Sequence, residues 1–224
     1  MKEKIILLYV LFSAVVWKCT FNNSVVKFSE DQFWYDFFVG EGKLILAFIL
    51  FGVVPILIVK FVFREKLADY GLRVGEVIRT IRSFCIASPC LVVIAIISGN
   101  SELFHNTYPF NVGLRQNNLS GELSSGVFLI HAVCYAGYYF GWEFMFRGFM
   151  QHGLSKQCGI GNAILIQTLA TVMLHFGHPT GEVFGAICAG LAWGYLAYRS
   201  RSILSGFAQH TVLGVVLDWK LIYH

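Results

Sequence analysis

Apolar residues gather along the chain into seven runs: Ile5 to Trp17, Leu44 to Phe63, Phe84 to Ser98, Ser124 to about Met150, Ile160 to Phe176, Val183 to Tyr198 and Ile203 to Leu217. Runs of this kind predict membrane-spanning helices, several of them short. At about 20 to 30 residues per span and its loop, the chain suits one polytopic bundle. The expected fold is therefore all-α, an integral membrane helix bundle of about seven transmembrane helices forming one domain over residues 1–224. Lys2 and Lys4 precede the first run as in a signal peptide, but Trp17-Lys18-Cys19 has no small-x-small cleavage pattern, so an uncleaved first helix is expected. From Arg64 to Val74, continuing to Arg82, basic and apolar residues mix at helical spacing, which predicts an amphipathic segment on the anionic leaflet. The loop from Gly99 to Leu123, rich in Asn, Ser and Gly, is expected to be the least ordered.

Composition strengthens the membrane reading. The 224 residues are 56% apolar, 16% aromatic and only 13% charged, with a mean hydropathy of +0.64. A soluble domain carries about 25% charged residues, so an ordinary cytosolic enzyme is excluded, and a disordered tail would show the opposite imbalance. The net charge of +4 does not point to nucleic acid, because Lys and Arg form no stripe interleaved with exposed aromatics. They follow membrane topology instead. With the N-terminus inside, the inner segments hold Lys2, Lys4, Arg64, Lys66, Arg73, Arg79, Arg82, Lys156, Arg199 and Arg201, and the outer ones only Lys18, Lys27, Lys43, Arg115 and Lys220. A multi-pass protein of the plasma membrane with a cytoplasmic N-terminus is expected. The six cysteines show no CxxC or zinc spacing and read as packing residues.

Ionisable groups inside spans are costly, about 2.5 to 3.5 kcal/mol each for Asp, Lys or Arg, and usually face the bundle interior. Glu143, Arg147, His175 and His210 are such groups. Glu143 and Arg147 lie i, i+4 on one helix face and can pair, which by itself can serve only to fix helix register. From a turn at Ser155 to Gly159, a rise of 1.5 Å per residue puts Glu143 about 16 Å and His175 about 22 Å deep, and His210 about 14 Å from the same side. The three levels fall within about 8 Å, so an acid and two imidazoles can share a hydrated chamber and polarise water.

Glu143-x-x-x-Arg147-Gly148, the stretch Leu169 to Gly177 (LATVMLHFG) with His175, and Arg199 to His210 (RSRSILSGFAQH) resemble the CPBP intramembrane proteases, the CAAX prenyl protease 2 and bacteriocin-processing Abi proteins. The resemblance covers about Val127 to Trp219. It implies a core over residues 127–219 and a glutamate-type peptidase acting on a membrane-associated peptide or protein in the bilayer. The family pattern is EExxxRG, FxxxH and HxxxN or HxxxD. Here Trp142 takes the first Glu position, Thr171 the Phe position and Gly214 the last position. The family's first Glu activates water with the second motif's His, and its second Glu, here Glu143, pairs with the Arg. Either Glu143 then serves as base or another carboxylate replaces the missing one. Glu182, opening the sixth span, can reach the outer side of the pocket, or is a helix-start carboxylate favoured by the dipole. Asp218, two turns beyond His210, is expected at the interface. His131 reads as a packing or outer-mouth residue, His178 as a helix exit before Pro179, and Gly185, Gly190 and Gly194 as close helix contacts.

The resemblance thus implies an endopeptidase in which a Glu and His175 activate water, His210 stabilises the oxyanion and Arg147 positions Glu143. With Trp142 at the base position, a pseudoprotease acting as membrane scaffold, immunity or regulatory factor is the alternative. A small proton-coupled carrier is a third reading, though no inverted repeat is evident. Two His and a carboxylate can bind zinc, but HExxH is missing and the resemblance implies no cofactor.

Overall fold

The computed structural model describes residues 1–22, 32–111, 113–114 and 125–224. Lys27, Arg115, the first residue of the expected fourth span and part of the loop from Gly99 to Leu123 lie outside them. Among the described residues the chain is all-helical, without strands. The long helices are α1 (Lys2–Asn22), α2 (32–63), α3 (Val77–Ser98), α5 (125–158), α6 (Ile160–Leu174), α7 (Thr180–Ser200) and α8 (Leu204–Tyr223), with a short α4 (Glu102–His105). One long helix therefore stands at each of the seven apolar runs. Trp34–Phe63 and Val77–Ser98 are long and apolar enough to cross a bilayer, and Ile160–Leu174 is a shorter apolar helix.

α5 is the axis of the bundle. Every residue from Gly141 to Met150 is buried, so this stretch of the helix is surrounded on all sides. α1 packs against it through Ile6, Val10 and Trp17, which makes the first run part of the core. The outward faces are apolar too: Leu8 and Leu11 on α1, Leu169 and Met173 on α6 and Phe184 on α7 are all exposed. An apolar exterior over an apolar core suits lipid rather than water.

Two features depart from straight α-helix. In α2, π-helical turns at Ile49–Val53 and Ile58–Phe63 flank the turn containing Pro55, whose missing N–H and bulky ring disrupt the ordinary ladder. In α5 the π-helical stretch Phe144–His152 begins directly after Glu143. There His152 Nδ1–H donates to the Arg147 carbonyl five residues back, at 2.6 Å.

The segment expected to lie on the leaflet divides. Leu67–Tyr70 is a 3-10 turn with Tyr70 buried, and Arg79 and Arg82 belong to the first turns of α3. Gly71, at φ 78°, accepts the Ile203 N–H on its carbonyl, and a Cβ there would stand 3.1 Å from the Ile203 side chain. A side chain at this position would strain the joint between the 64–76 connection and α8. Lys2 Nζ reaches Glu65 Oε2 at 2.6 Å, and the Tyr70 hydroxyl donates to the same oxygen, which fastens α1 to this connection. All six cysteines are free.

Candidate functional site

Beside α5 lies a cavity of about 880 Å³, walled by α1, α3, α4, α5, α6, α7, α8 and the connection after α4. Its lining is mostly apolar, and four of its polar groups come from different parts of the chain. His175 caps the C-terminus of α6, Glu182 stands in the first turn of α7, His210 projects from α8 and Tyr108 comes from the connection after α4.

Glu143 is completely buried and does not line the cavity. Its Oε1 accepts from Arg147 Nη1 at 3.1 Å and from His210 Nδ1–H at 2.9 Å. The i, i+4 pair anticipated from spacing is therefore made, and its carboxylate holds His210. Arg147 is 2% exposed, and its guanidinium also stacks over Trp193, with Cζ 5.7 Å from the ring centroid. Trp142 faces the cavity, with its ring edge-on to both imidazoles, 5.6 Å from His175 and 6.4 Å from His210. Behind it Trp17, Phe51, Tyr138 and Phe146 pack against the indole.

His175 Nδ1–H donates to the Thr171 carbonyl at 2.7 Å. A carbonyl only accepts, so Nδ1 carries the proton and Nε2 of the neutral ring is an acceptor. Nε2 stands 3.5 Å from Glu182 Oε1. That same oxygen accepts from the Tyr108 hydroxyl at 2.7 Å and from His178 Nδ1–H at 3.0 Å, while the Glu182 Oε2 atom is buried without a hydrogen-bond partner. Burial and the adjacent Glu182 charge push the Tyr108 pKa well above its ordinary value, so the hydroxyl stays protonated and donates. The sequence gives His178 the look of a helix exit. In the structure it is a partner of Glu182.

Asp218 is completely buried in the protein. Helix α8 runs on to Tyr223, and Asp218 Oδ2 faces His131 Nε2 at 2.9 Å with no exposed surface. His131 Nδ1 faces Glu41 Oε1 at 2.7 Å, and Asn111 Nδ2 donates to the same oxygen. This buried triad joins α2, α5 and α8. It counters the cost of burying Asp218, which is why the helix continues past the end of the apolar run. Glu41, just before an apolar run, and Asn111, in the middle of a connection, had no further signal in the sequence.

The positions that depart from the motif pattern are filled. Thr171 is buried and supplies the carbonyl that fixes His175. Gly214 lies against Tyr139, whose hydroxyl and ring occupy the space that any side chain at 214 would need. Gly190 and Gly194 meet Thr168 and Gln167 closely, as their spacing suggests, whereas Gly185 has open space beside it and lines the cavity. Among the described residues no group of three or more His, Cys, Asp or Glu is arranged to hold a metal ion.

Residues 123–216 match the family described as type II CAAX prenyl endopeptidase Rce1-like. The match takes in α5, α6 and α7 and most of α8, and thus Glu143, His175, Glu182 and His210, but neither Tyr108 nor the α2 side of the buried triad. No curated protein and no solved structure matches the chain. The Rce1-like family is one of integral membrane helix bundles, and the CAAX protease family that the three motifs resemble is the family whose model residues 123–216 of this chain match.

Proposed function

We propose that the protein is an intramembrane endopeptidase that hydrolyses a peptide bond in a membrane-associated protein or peptide, with water activated by a carboxylate and His175. One observation carries this reading: His175 and His210, on different helices and each beside a carboxylate, line one largely apolar cavity. An apolar chamber takes in a lipid-linked or aliphatic chain and excludes bulk water. With Nδ1–H held by Glu143, His210 donates from Nε2 to the carbonyl oxygen as charge develops there when its ring carries both protons. Arg147 keeps Glu143 in place. The family description supports a prenylated C-terminal substrate. A metal plays no part in this scheme, so specific chelators leave the rate unchanged. The distribution of Lys and Arg supports a cytoplasmic N-terminus.

The test is cleavage of a prenylated peptide ending in Cys-aliphatic-aliphatic-X by the purified protein in liposomes. His175→Ala and His210→Ala each reduce cleavage to background; full rate in both variants eliminates the reading. Trp142 at the motif's first Glu position supports one other reading, a pseudoprotease that binds such peptides without cutting them. Cleavage that appears only after Trp142→Glu favours it, and cleavage by the unmodified protein rejects it.

A further inference from the structure

We infer that the water-activating pair of this site is Glu182 with His175, and that Tyr108 and His178 are its positioning residues. The inference rests on the peptidase reading and specifies its base. Two acceptors, His175 Nε2 and Glu182 Oε1, face each other across 3.5 Å with no hydrogen between them when the ring is neutral. Such a pair is satisfied by a shared donor. A water that donates one hydrogen to Nε2 and the other to the carboxylate meets both needs and turns its lone pairs toward the cavity. Both side chains retain 17% exposure, so the site is reachable from the cavity.

Glu143 is in a different position. It has no exposed surface and does not line the cavity, whereas Glu182 is partly exposed and lines it. On the α5 side His175 meets the indole of Trp142, which offers no acceptor. The carboxylate beside His175 comes from α7, and its hydroxyl donor comes from Tyr108, outside the matched residues 123–216.

In the reaction, one water proton passes to Glu182 as the water oxygen bonds to the scissile carbonyl carbon. On collapse the C–N bond breaks, and the amide nitrogen takes that proton from Glu182. The products are an acid and an amine, and the carboxylate is regenerated. Tyr108 and His178 hold Oε1 by two hydrogen bonds that favour the ionised form. The charged and titratable groups around the pair are Tyr108, His178, Lys18 from α1, His210 from α8, and Tyr138, Tyr139, Glu143 and Arg147 from α5. Lys18 Nζ donates to the Phe176 carbonyl at 3.4 Å, at the rim of the same site.

Two measurements on the full-length protein in liposomes or detergent test this. The first is kcat/KM against pH with the prenylated peptide, for the unmodified protein and for Glu182→Gln, Tyr108→Phe and Glu143→Gln. Glu182→Gln lowers kcat by about 10²- to 10⁴-fold, with KM little changed. Tyr108→Phe removes a bond to the carboxylate and moves the acid limb to higher pH, and Glu143→Gln leaves that limb in place. The second is an NMR titration of ¹³C-labelled histidine, which needs no turnover: the His175 midpoint falls in Glu182→Gln and stays in Glu143→Gln. Unaltered kcat in Glu182→Gln, or a His175 midpoint that follows Glu143 instead, overturns the inference while the peptidase reading stands. No cleavage by the unmodified protein, with the midpoint still tied to Glu182, overturns the peptidase reading and leaves the pairing.

Discussion

Trp142 stands edge-on to His175, ring centroids 5.6 Å apart and planes at 82°, where the motif's pattern has its first Glu. The indole is held by Trp17, Phe51, Tyr138 and Phe146, so it is a wall of the cavity and part of the aromatic core at once. Trp142→Glu places a carboxylate among these rings. The expected result is a Tm lower by about 5 °C or more, with no gain in peptide cleavage. Trp142→Phe keeps an edge contact and holds kcat within about threefold, a barrier change of ~0.6 kcal/mol. Thermal unfolding followed by cysteine-reactive dye and a cleavage assay on the same samples check both.

Glu143 links Arg147 to His210 inside the core. Removing one member leaves a buried charge without its partner, which costs about 3 to 5 kcal/mol. Arg147→Ala is therefore expected to lower Tm by roughly 10 °C, on a scale of about 2 to 4 °C per kcal/mol for a chain of this size. His210→Ala leaves the Glu143–Arg147 pair intact and unfolds closer to the unmodified protein. Its loss appears in kcat, about 10²- to 10³-fold, the scale for one oxyanion donor. A variant pair in which Arg147→Ala is stable and His210→Ala is not would contradict this division of roles.

How far these relationships were legible in the sequence depended on what each residue's neighbours in the chain revealed. The long apolar runs have a helix each, and the i, i+4 spacing of Glu143 and Arg147 is realised as a bond. Runs bounded by hydropathy stop too soon, however. Glu41 precedes the run that starts at Leu44, and Asp218 follows the one that ends at Leu217, yet both lie within helices because His131 compensates both. A pairing between three helices has no local spacing to betray it. Tyr108 was hidden for the related reason that it sits in an aperiodic connection, and the π-helical stretch after Glu143 alters the register without leaving a mark in composition.

The triad of Glu41, His131 and Asp218 supports stability rather than chemistry. As a doubly protonated ring His131 donates to both carboxylates, so His131→Ala strands two buried acids and costs about 3 to 5 kcal/mol. The triple variant Glu41→Gln, His131→Ala, Asp218→Asn removes the charges together and is expected to recover at least half of that loss. In each variant that folds, kcat per folded molecule remains close to that of the unmodified protein. Urea or heat denaturation in detergent, with activity normalised to folded protein, separates the two effects.

Gly214 and Tyr139 share one space. The phenol of Tyr139 lies where a side chain at 214 would project, and its ring stacks on His210 with centroids 4.1 Å apart. Gly214→Asn, which restores the family's residue, overpacks this contact and is expected to destabilise by about 1 to 3 kcal/mol. Tyr139→Ala empties the space and destabilises by a similar or larger amount. Combining them lets the amide occupy the vacated volume, so the double variant is more stable than the sum of the single losses predicts, with a coupling energy of about 1 kcal/mol or more. A double-mutant cycle of unfolding free energies measures it, and simple additivity would show that the two positions do not compete.

The tie between α1 and the 64–71 connection responds to acid. Burial raises the pKa of Glu65, but the bonds from Lys2 and Tyr70 outweigh it and hold the carboxyl below its ordinary value of 4.5. A group with a depressed folded pKa contributes stability that is present above the unfolded value and lost as pH falls through the folded one. Glu65 is about one-third exposed, so the contribution is small, of the order of 0.2 to 1 kcal/mol. Glu65→Gln is thus expected to unfold about 1 to 3 °C earlier at pH 7, and the difference from the unmodified protein should disappear as the pH drops below 4.5. Lys2→Met removes the same partner from the other side and should show the same convergence. A Glu65→Gln deficit that stayed constant from pH 7 to pH 3.5 would mean that packing of the Glu65 stem, and not its charge, fastens the first helix to the bundle.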